Sequence, residues 1–195
     1  MIVLAVKPYQ IEEVVEPIRK ALASKIVISI AAGCFYDFYE GILEPHTQHI
    51  SAIPNTPIAV GKGILVTEQK HSLQPESLES FVQLFSTIAQ IEWVEVKQLS
   101  IATTIAGCAP AYTAMYLEAL ADAGVKHGLK RQQAYDLAAL MMAGTSLLYL
   151  EKKEHPGIMK DAVCSPSGTT IKGVASLEKN AFRGIIIEAI DEVEK

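Results

Sequence analysis

The sequence lacks most of the signatures that mark a metal site, a covalent nucleophile or a disulfide scaffold. It has no C-x-x-C pair, no H-E-x-x-H, no G-x-S-x-G and no glycine-rich G-x-G-x-x-G turn. Structural zinc, zinc-dependent hydrolysis and an α/β-hydrolase elbow are therefore not expected. The five histidines are scattered, so no metal is predicted. Cysteine is scarce: Cys34, Cys108 and Cys164 are far apart and odd in number. That pattern fits buried free thiols in a reducing compartment, and the expected location is the cytoplasm. Positive charge is also short. Lys and Arg number 17 against 22 Asp and Glu, a formal net charge of −5. Such a surface disfavours nucleic acid and anionic membrane as partners, and any anionic ligand needs local positive potential. No basic segment followed by an apolar one opens the chain, so no signal peptide is expected. One stretch, Leu99 to Leu117, carries no charge and approaches the length that spans a bilayer. It is rich in Ser, Thr, Ala and Gly, has Pro110 in its middle and continues into Glu118, Asp122 and Lys126. A helix buried among neighbours explains it better than a membrane span.

What is present divides into two halves. The first alternates strand and helix. Ile2 to Val6, Ile26 to Ile30 and His49 to Ile53 are apolar runs of the kind buried on both faces of a parallel sheet. Gly63 to Thr67 and Ile91 to Val96 read as later strands. Helices are predicted over 10–23, with Ile11, Val14, Val15, Ile18 and Leu22 on one face, over 36–43 and over 75–87. The β-α-β-α-β order predicts a mostly parallel sheet with right-handed crossovers. From about residue 97 the strand signal ends. Helices are predicted at 98–127, 131–152, 156–162, 168–178 and 180–194. Two of them are apolar on more than one face, which predicts that two subunits intertwine here. The domains expected are thus 1–97 and 98–195.

Chemistry is expected at two places. Parallel sheets bind ligands at the carboxyl ends of their strands. Those ends carry Ala5-Val6-Lys7-Pro8, Ala31-Ala32-Gly33 and Pro54-Asn55-Thr56-Pro57. Small residues let a planar ring approach the backbone, Lys7 offers charge, and Asn55 and Thr56 offer hydrogen bonds. Each also has a plain structural explanation as a loop, turn or cap residue. The second place is Ser165-Pro166-Ser167-Gly168-Thr169-Thr170, a tight turn into a helix. The first N–H groups of a helix lack internal partners and, with its dipole, favour a carboxylate. Simple N-capping is the alternative, but four hydroxyl residues in six positions exceed what a cap needs. Lys160 and Lys172 are near in sequence and are read equally well as solvated. Glu118 and Asp161 are read as structural.

Eight stretches run in order along nearly the whole chain: LAVKP at 4–8, SIAAG at 29–33, PNTP at 54–57, GCAPAY at 107–112, EALADAGVKHGL at 118–129, EHPGIMKD at 154–161, SPSGTTI at 165–171 and LEKNAFRGIIIEAI at 177–190. Together they resemble the pyrroline-5-carboxylate reductases. The resemblance implies the C-terminal part of a Rossmann-type parallel sheet followed by a helical dimerisation domain. It implies NADPH- or NADH-dependent reduction of the cyclic imine 1-pyrroline-5-carboxylate to proline. It places Ala5, Lys7 and Pro8 along the cofactor groove, and Ala32, Gly33, Asn55, Thr56 and Pro57 near the nicotinamide. It gives Ser165, Gly168, Thr169 and Thr170 the substrate carboxylate, with Thr170 within reach of the imine nitrogen as the catalytic residue. A homodimer through 98–195 follows, with larger assemblies left open.

The sequence departs from the family pattern in three places. Ala106-Gly107-Cys108-Ala109-Pro110-Ala111-Tyr112 stands where S-G-S-G-P-A-Y is usual, and Ser167 stands in the S-P-G-G position normally held by glycine. The strand, glycine-rich turn and two further strand–helix units that usually come first are not in this sequence, so the main pyrophosphate anchor is expected to be missing from it. Two alternatives stay open on these grounds: a catalytically inactive dimerisation partner, or another imine or hydroxyacid reductase of the same architecture.

Overall fold

The computed structural model describes all residues, Met1–Lys195. Five strands form one sheet in the order β1-β2-β3-β4-β5: β1 Ile2–Leu4, β2 Ile26–Ser29, β3 Gln48–Pro54, β4 Gly63–Glu68 and β5 Ala89–Val94. β1, β2 and β3 run parallel, as do β4 and β5, while β3 and β4 are antiparallel. The antiparallel pair follows from the short connection between them. It is a single 3₁₀ turn, Thr56–Val60, too brief for a crossover helix. The sheet is thus mostly parallel, as the β-α-β rhythm predicts.

Helices α1 (Ile11–Val15), α2 (Arg19–Leu22) and α3 (Tyr36–Ile42) cover the β1–β3 end of the sheet, and α4 (Pro75–Phe85) precedes β5. The predicted helix over 10–23 is in fact broken. Pro17 has no N–H to continue the α ladder, and a 3₁₀ turn at Glu16–Ile18 separates α1 from α2. Ile11, Val15 and Leu22 are buried as the periodicity requires, but Ile18 is exposed beside the break. One core joins Leu4, Ile11, Val15, Val27 and Tyr39, and a second joins Ile28, Ile50, Leu65 and Phe81. β1 corrects a further expectation: it is an edge strand in this sheet, and Ile2 and Val3 are 39% and 47% exposed rather than covered on both faces.

The remaining elements are α5 (Leu99–Thr103), α6 (Ala109–Lys126), α7 (Arg131–Lys152), α8 (Pro156–Ala162), α9 (Thr169–Lys179) and α10 (Phe182–Val193). The stretch predicted as one helix over 98–127 is not uniform. Residues Thr104–Cys108 form a π-helical turn between α5 and α6. Pro110 explains it: its ring crowds the carbonyl four residues back, and a wider turn relieves the crowding. No helix is long and apolar enough to cross a membrane.

The chain divides into two compact units, Met1–Pro110 with Glu194, and Ala111–Val193 with Lys195. The second has almost no interior of its own. Its buried apolar residues are Ala121, Ala134 and Ala138, whereas Met115, Leu140, Leu147, Ile185 and Ile187 are exposed. Apolar surface on this scale marks a face meant to be covered.

Candidate functional site

Parallel pairing puts the C-terminal ends of β1, β2 and β3 on one edge, so the segments after them form one lip in the first unit. Ala5, Lys7 and Pro8 are exposed on it, and Lys7 makes no ion pair, in contrast with Arg19, Lys70 and Lys97. Ala32 and Gly33 are exposed beside it. Gly33 has φ +83°, a conformation that a side chain would oppose. Two buried hydroxyls hold this loop from below. Ser29 Oγ accepts from the Ala31 N–H at 3.2 Å and bonds the Tyr39 hydroxyl, and Ser51 Oγ donates to the Cys34 carbonyl at 3.1 Å. Burial pushes the Tyr39 hydroxyl and the Cys34 thiol above their usual ranges, so both stay protonated and inert. Glu68, buried in β4, accepts the Tyr36 N–H at 2.7 Å and so fixes the start of α3. Its burial holds the carboxyl above the usual range. Ser29, Ser51 and Glu68 were not singled out from the sequence. Their only signal there is a polar residue inside an apolar strand.

The third segment of the lip behaves differently from its neighbours. Thr56 is exposed, but Asn55 is only 9% exposed and its amide is engaged internally. Asn55 Oδ1 accepts the Ile64 N–H at 2.8 Å, and Nδ2 donates to the Ala106 carbonyl at 3.1 Å. The Asn55 side chain is therefore not a free hydrogen-bond donor at the lip, as the sequence suggested. Thr56 and Pro57 are what this segment presents.

The second site lies in the other unit. The Gly168 N–H donates to the Ser165 carbonyl at 3.0 Å, closing a four-residue turn with Pro166 second and Ser167 third. Ser167 has φ +62°, the left-handed geometry that a type II turn needs at its third position. Here a serine does what glycine does more easily. Ser167→Gly should leave the turn intact and raise stability by up to about 1 kcal/mol, the left-handed penalty less glycine's added chain entropy. A urea melt reads this directly, and a loss of stability would show that the Ser167 side chain supports the turn.

Gly168 is the N-cap of α9, and no side chain caps that helix. The first turn of α9 contains no acidic residue. Its leading N–H groups are thus open to an external acceptor, and the hydroxyls of Ser165, Ser167, Thr169 and Thr170 are exposed around them. Of the two nearby lysines, Lys160 is paired with Asp161. Among His, Cys, Asp and Glu, no group of three is close enough to hold a metal ion. His49 is buried with Nε2 at 2.8 Å from Glu40. His155 caps α8, its Nδ1 accepting the Gly157 N–H at 3.0 Å.

A mostly parallel sheet with a small-residue lip, followed by helices with an open anion-type N-terminus, is an architecture of the Rossmann type with a helical part added. The family model for pyrroline-5-carboxylate reductase dimerisation matches residues 96–195, and a pyrroline-5-carboxylate reductase of Treponema pallidum is 44% identical over 193 residues, 97% of this chain and 73% of that protein. The chain belongs to the pyrroline-5-carboxylate reductase family. The Escherichia coli enzyme of that name is 37% identical over 97% of this chain and 71% of its own length. Residues 1–33 also match a model described as NADP oxidoreductase, coenzyme F420-dependent. Among solved structures, the Plasmodium falciparum pyrroline carboxylate reductase with NADP bound superposes with a TM-score of 0.90 at 31% identity, covering 98% of this chain and 73% of that one.

Proposed function

We infer that this chain reduces 1-pyrroline-5-carboxylate to L-proline, the last step of proline biosynthesis, with NADPH or NADH as reductant. The observation that carries the reading is the uncapped start of α9, with no acidic residue in its first turn and four hydroxyl residues around it. An acceptor of fixed negative charge is what that geometry suits. The relatives' names and the NADP held by the Plasmodium falciparum protein supply the rest.

The lip residues suit a flat ring. Ala5, Ala32 and Gly33 are small and exposed, Lys7 is free to meet an anionic or amide oxygen, and Thr56 and Pro57 border them. The nicotinamide ring, when bound, supplies the hydride. The chain's own part is to hold and orient. The Thr169 and Thr170 N–H groups, with the hydroxyls of Ser165 and Thr169, hold the carboxylate. The Thr170 hydroxyl hydrogen-bonds the imine nitrogen and relays to it a proton taken from solvent, unless the imine arrives already protonated, as the C=N bond becomes CH–NH. No strong acid is required, because most of the acceleration comes from alignment of the imine carbon.

In the same reading, residues 1–97 are the cofactor-binding part and 98–195 the substrate-binding part, which also pairs two copies into a homodimer, the covered face being the exposed apolar one of the second unit. Neither nucleic acid nor membrane is a partner, in keeping with the net charge of −5. The cytoplasm is the compartment, which the three scattered cysteines suit.

The test is turnover by the purified protein with NADPH and with NADH. Oxidation of either cofactor with pyrroline-5-carboxylate is expected, and 1-pyrroline, which lacks the carboxylate, should be at least about 100-fold poorer in kcat/KM. No turnover would reject the reading in favour of an inert dimerisation partner. Equal turnover of both imines would reject the carboxylate site.

A further inference from the structure

Asn55, in the Pro54–Pro57 segment, and Ala106, just before the Gly107–Tyr112 segment, lie far apart in sequence and meet inside the first unit. Pro110 has no N–H, so the ordinary helical donor to the carbonyl of Ala106, four residues back, does not exist. The helix widens to a π-turn at just this place, Thr104–Cys108. Ala106 is 8% exposed, so solvent is a poor substitute partner for its carbonyl. The donor that reaches it is Asn55 Nδ2, at 3.1 Å and 51 residues distant in the chain. The other end of the same amide accepts the Ile64 N–H at 2.8 Å. The Asn55 backbone adds two bonds, its N–H donating to the Ile64 carbonyl at 3.2 Å and its carbonyl accepting from the Ile58 N–H at 3.2 Å. One residue thereby joins the end of β3, the start of β4, the Thr56–Val60 turn and the π-turn.

Only an amide does this. Aspartate would keep the acceptor for Ile64 but set a carboxylate oxygen against the Ala106 carbonyl, and an apolar residue would leave both partners unmet in a nearly dry place.

We propose that Asn55 is a positioning residue for hydride transfer, acting on the carbonyl that Pro110 frees at Ala106 so that the Thr56–Pro57 lip and the π-turn move as one piece. This rests on the reading of that lip as the nicotinamide's neighbour. Asn55 touches no reacting atom. Its effect is on the rate of the aligned step, not on the capture of the imine, since the carboxylate-holding turn is elsewhere in the chain.

The experiment is a double-mutant cycle of Asn55→Ala and Pro110→Ala in the purified protein. It reads kcat, KM for pyrroline-5-carboxylate, thermal unfolding, and the isotope effect with reduced cofactor deuterated at the transferred hydrogen. Wild-type turnover comes first: its absence would defeat the functional reading itself and leave nothing to position. Given turnover, Asn55→Ala should lower kcat by about 10- to 100-fold and raise the isotope effect on kcat, with a small change in KM for the imine. Pro110→Ala restores an N–H that can meet the Ala106 carbonyl. In that background only the bond to Ile64 remains to be lost, so the effect of Asn55→Ala on kcat should be at least about fivefold smaller than in the wild-type background. Asn55→Asp carries the same test should Asn55→Ala not fold, because it keeps the bond to Ile64 and replaces only the one to Ala106, by a repulsive contact between two oxygens. A wild-type kcat and isotope effect in a folded Asn55 variant, with only the melting temperature lowered, would overturn the proposal. So would a cycle in which the two substitutions act independently.

Discussion

Thr170→Ala should lower kcat/KM for pyrroline-5-carboxylate by about 100-fold, the lower end of what one positioned proton donor contributes. The fold should hardly notice. Thr170 is exposed in the first turn of α9, and no side chain caps that helix, so its removal breaks no cap. Alanine also suits a helix better than threonine, and stability should rise by a few tenths of a kcal/mol, roughly the difference in propensity. Two controls separate the roles. Thr170→Ser keeps a hydroxyl and should recover most of the rate. Thr169→Ala removes a hydroxyl assigned to the carboxylate, so its loss should fall mainly on KM. Wild-type kinetics in Thr170→Ala would remove Thr170 from the reaction while leaving the carboxylate site standing.

The largest stability effect is expected at Gly63, the first residue of β4. The Thr56–Val60 turn folds back so closely that a Cβ on residue 63 would sit 2.7 Å from the Ile58 Cβ and 2.8 Å from its Cα. Rotating a side chain cannot relieve contact with those atoms, so the backbone has to move. Gly63→Ala should destabilise by about 2–3 kcal/mol, the upper part of the range for overpacking. Truncating the neighbour, in Gly63→Ala/Ile58→Ala, should not rescue it, because alanine keeps both offending atoms. The displaced turn carries Thr56 and Pro57, so KM for the cofactor should rise as well. Urea melts and cofactor titrations check the two halves, and an unchanged midpoint would mean that the turn moves away freely.

These cases show what local pattern can and cannot say. Periodicity and punctuation located α7 and α8 to the residue, since Lys130, His155 and Pro156 stop and start them. The five strands were legible from their apolar runs, with ends off by a residue or two. Pro17 was visible too, but the apolar face running through it concealed that the helix would break there. The exposure of Ile2 and Val3 was not legible, because an edge strand and a central one can share the same composition. Nor was the bond from Asn55 to Ala106. It joins residues 51 apart, and its cause, a proline that withholds an N–H, becomes visible only once the helix brings that carbonyl to the end of β3. At the turn into α9 the sequence supplied Pro166, Gly168 and the hydroxyls, while the left-handed Ser167 between them is a three-dimensional result.

The second unit keeps only alanines in its interior, Ala121, Ala134 and Ala138, and leaves its larger aliphatic side chains at the surface. Alanine contributes little transfer energy when buried, so most of the hydrophobic stabilisation of these helices has to come from surface covered on assembly, in keeping with the match of 96–195 to a dimerisation model. Folding of this half is then coupled to assembly and governed by mass action. Dilution acts on it as a denaturant does, and the amount of protein a cell makes sets the fraction of each molecule's helices that are in place.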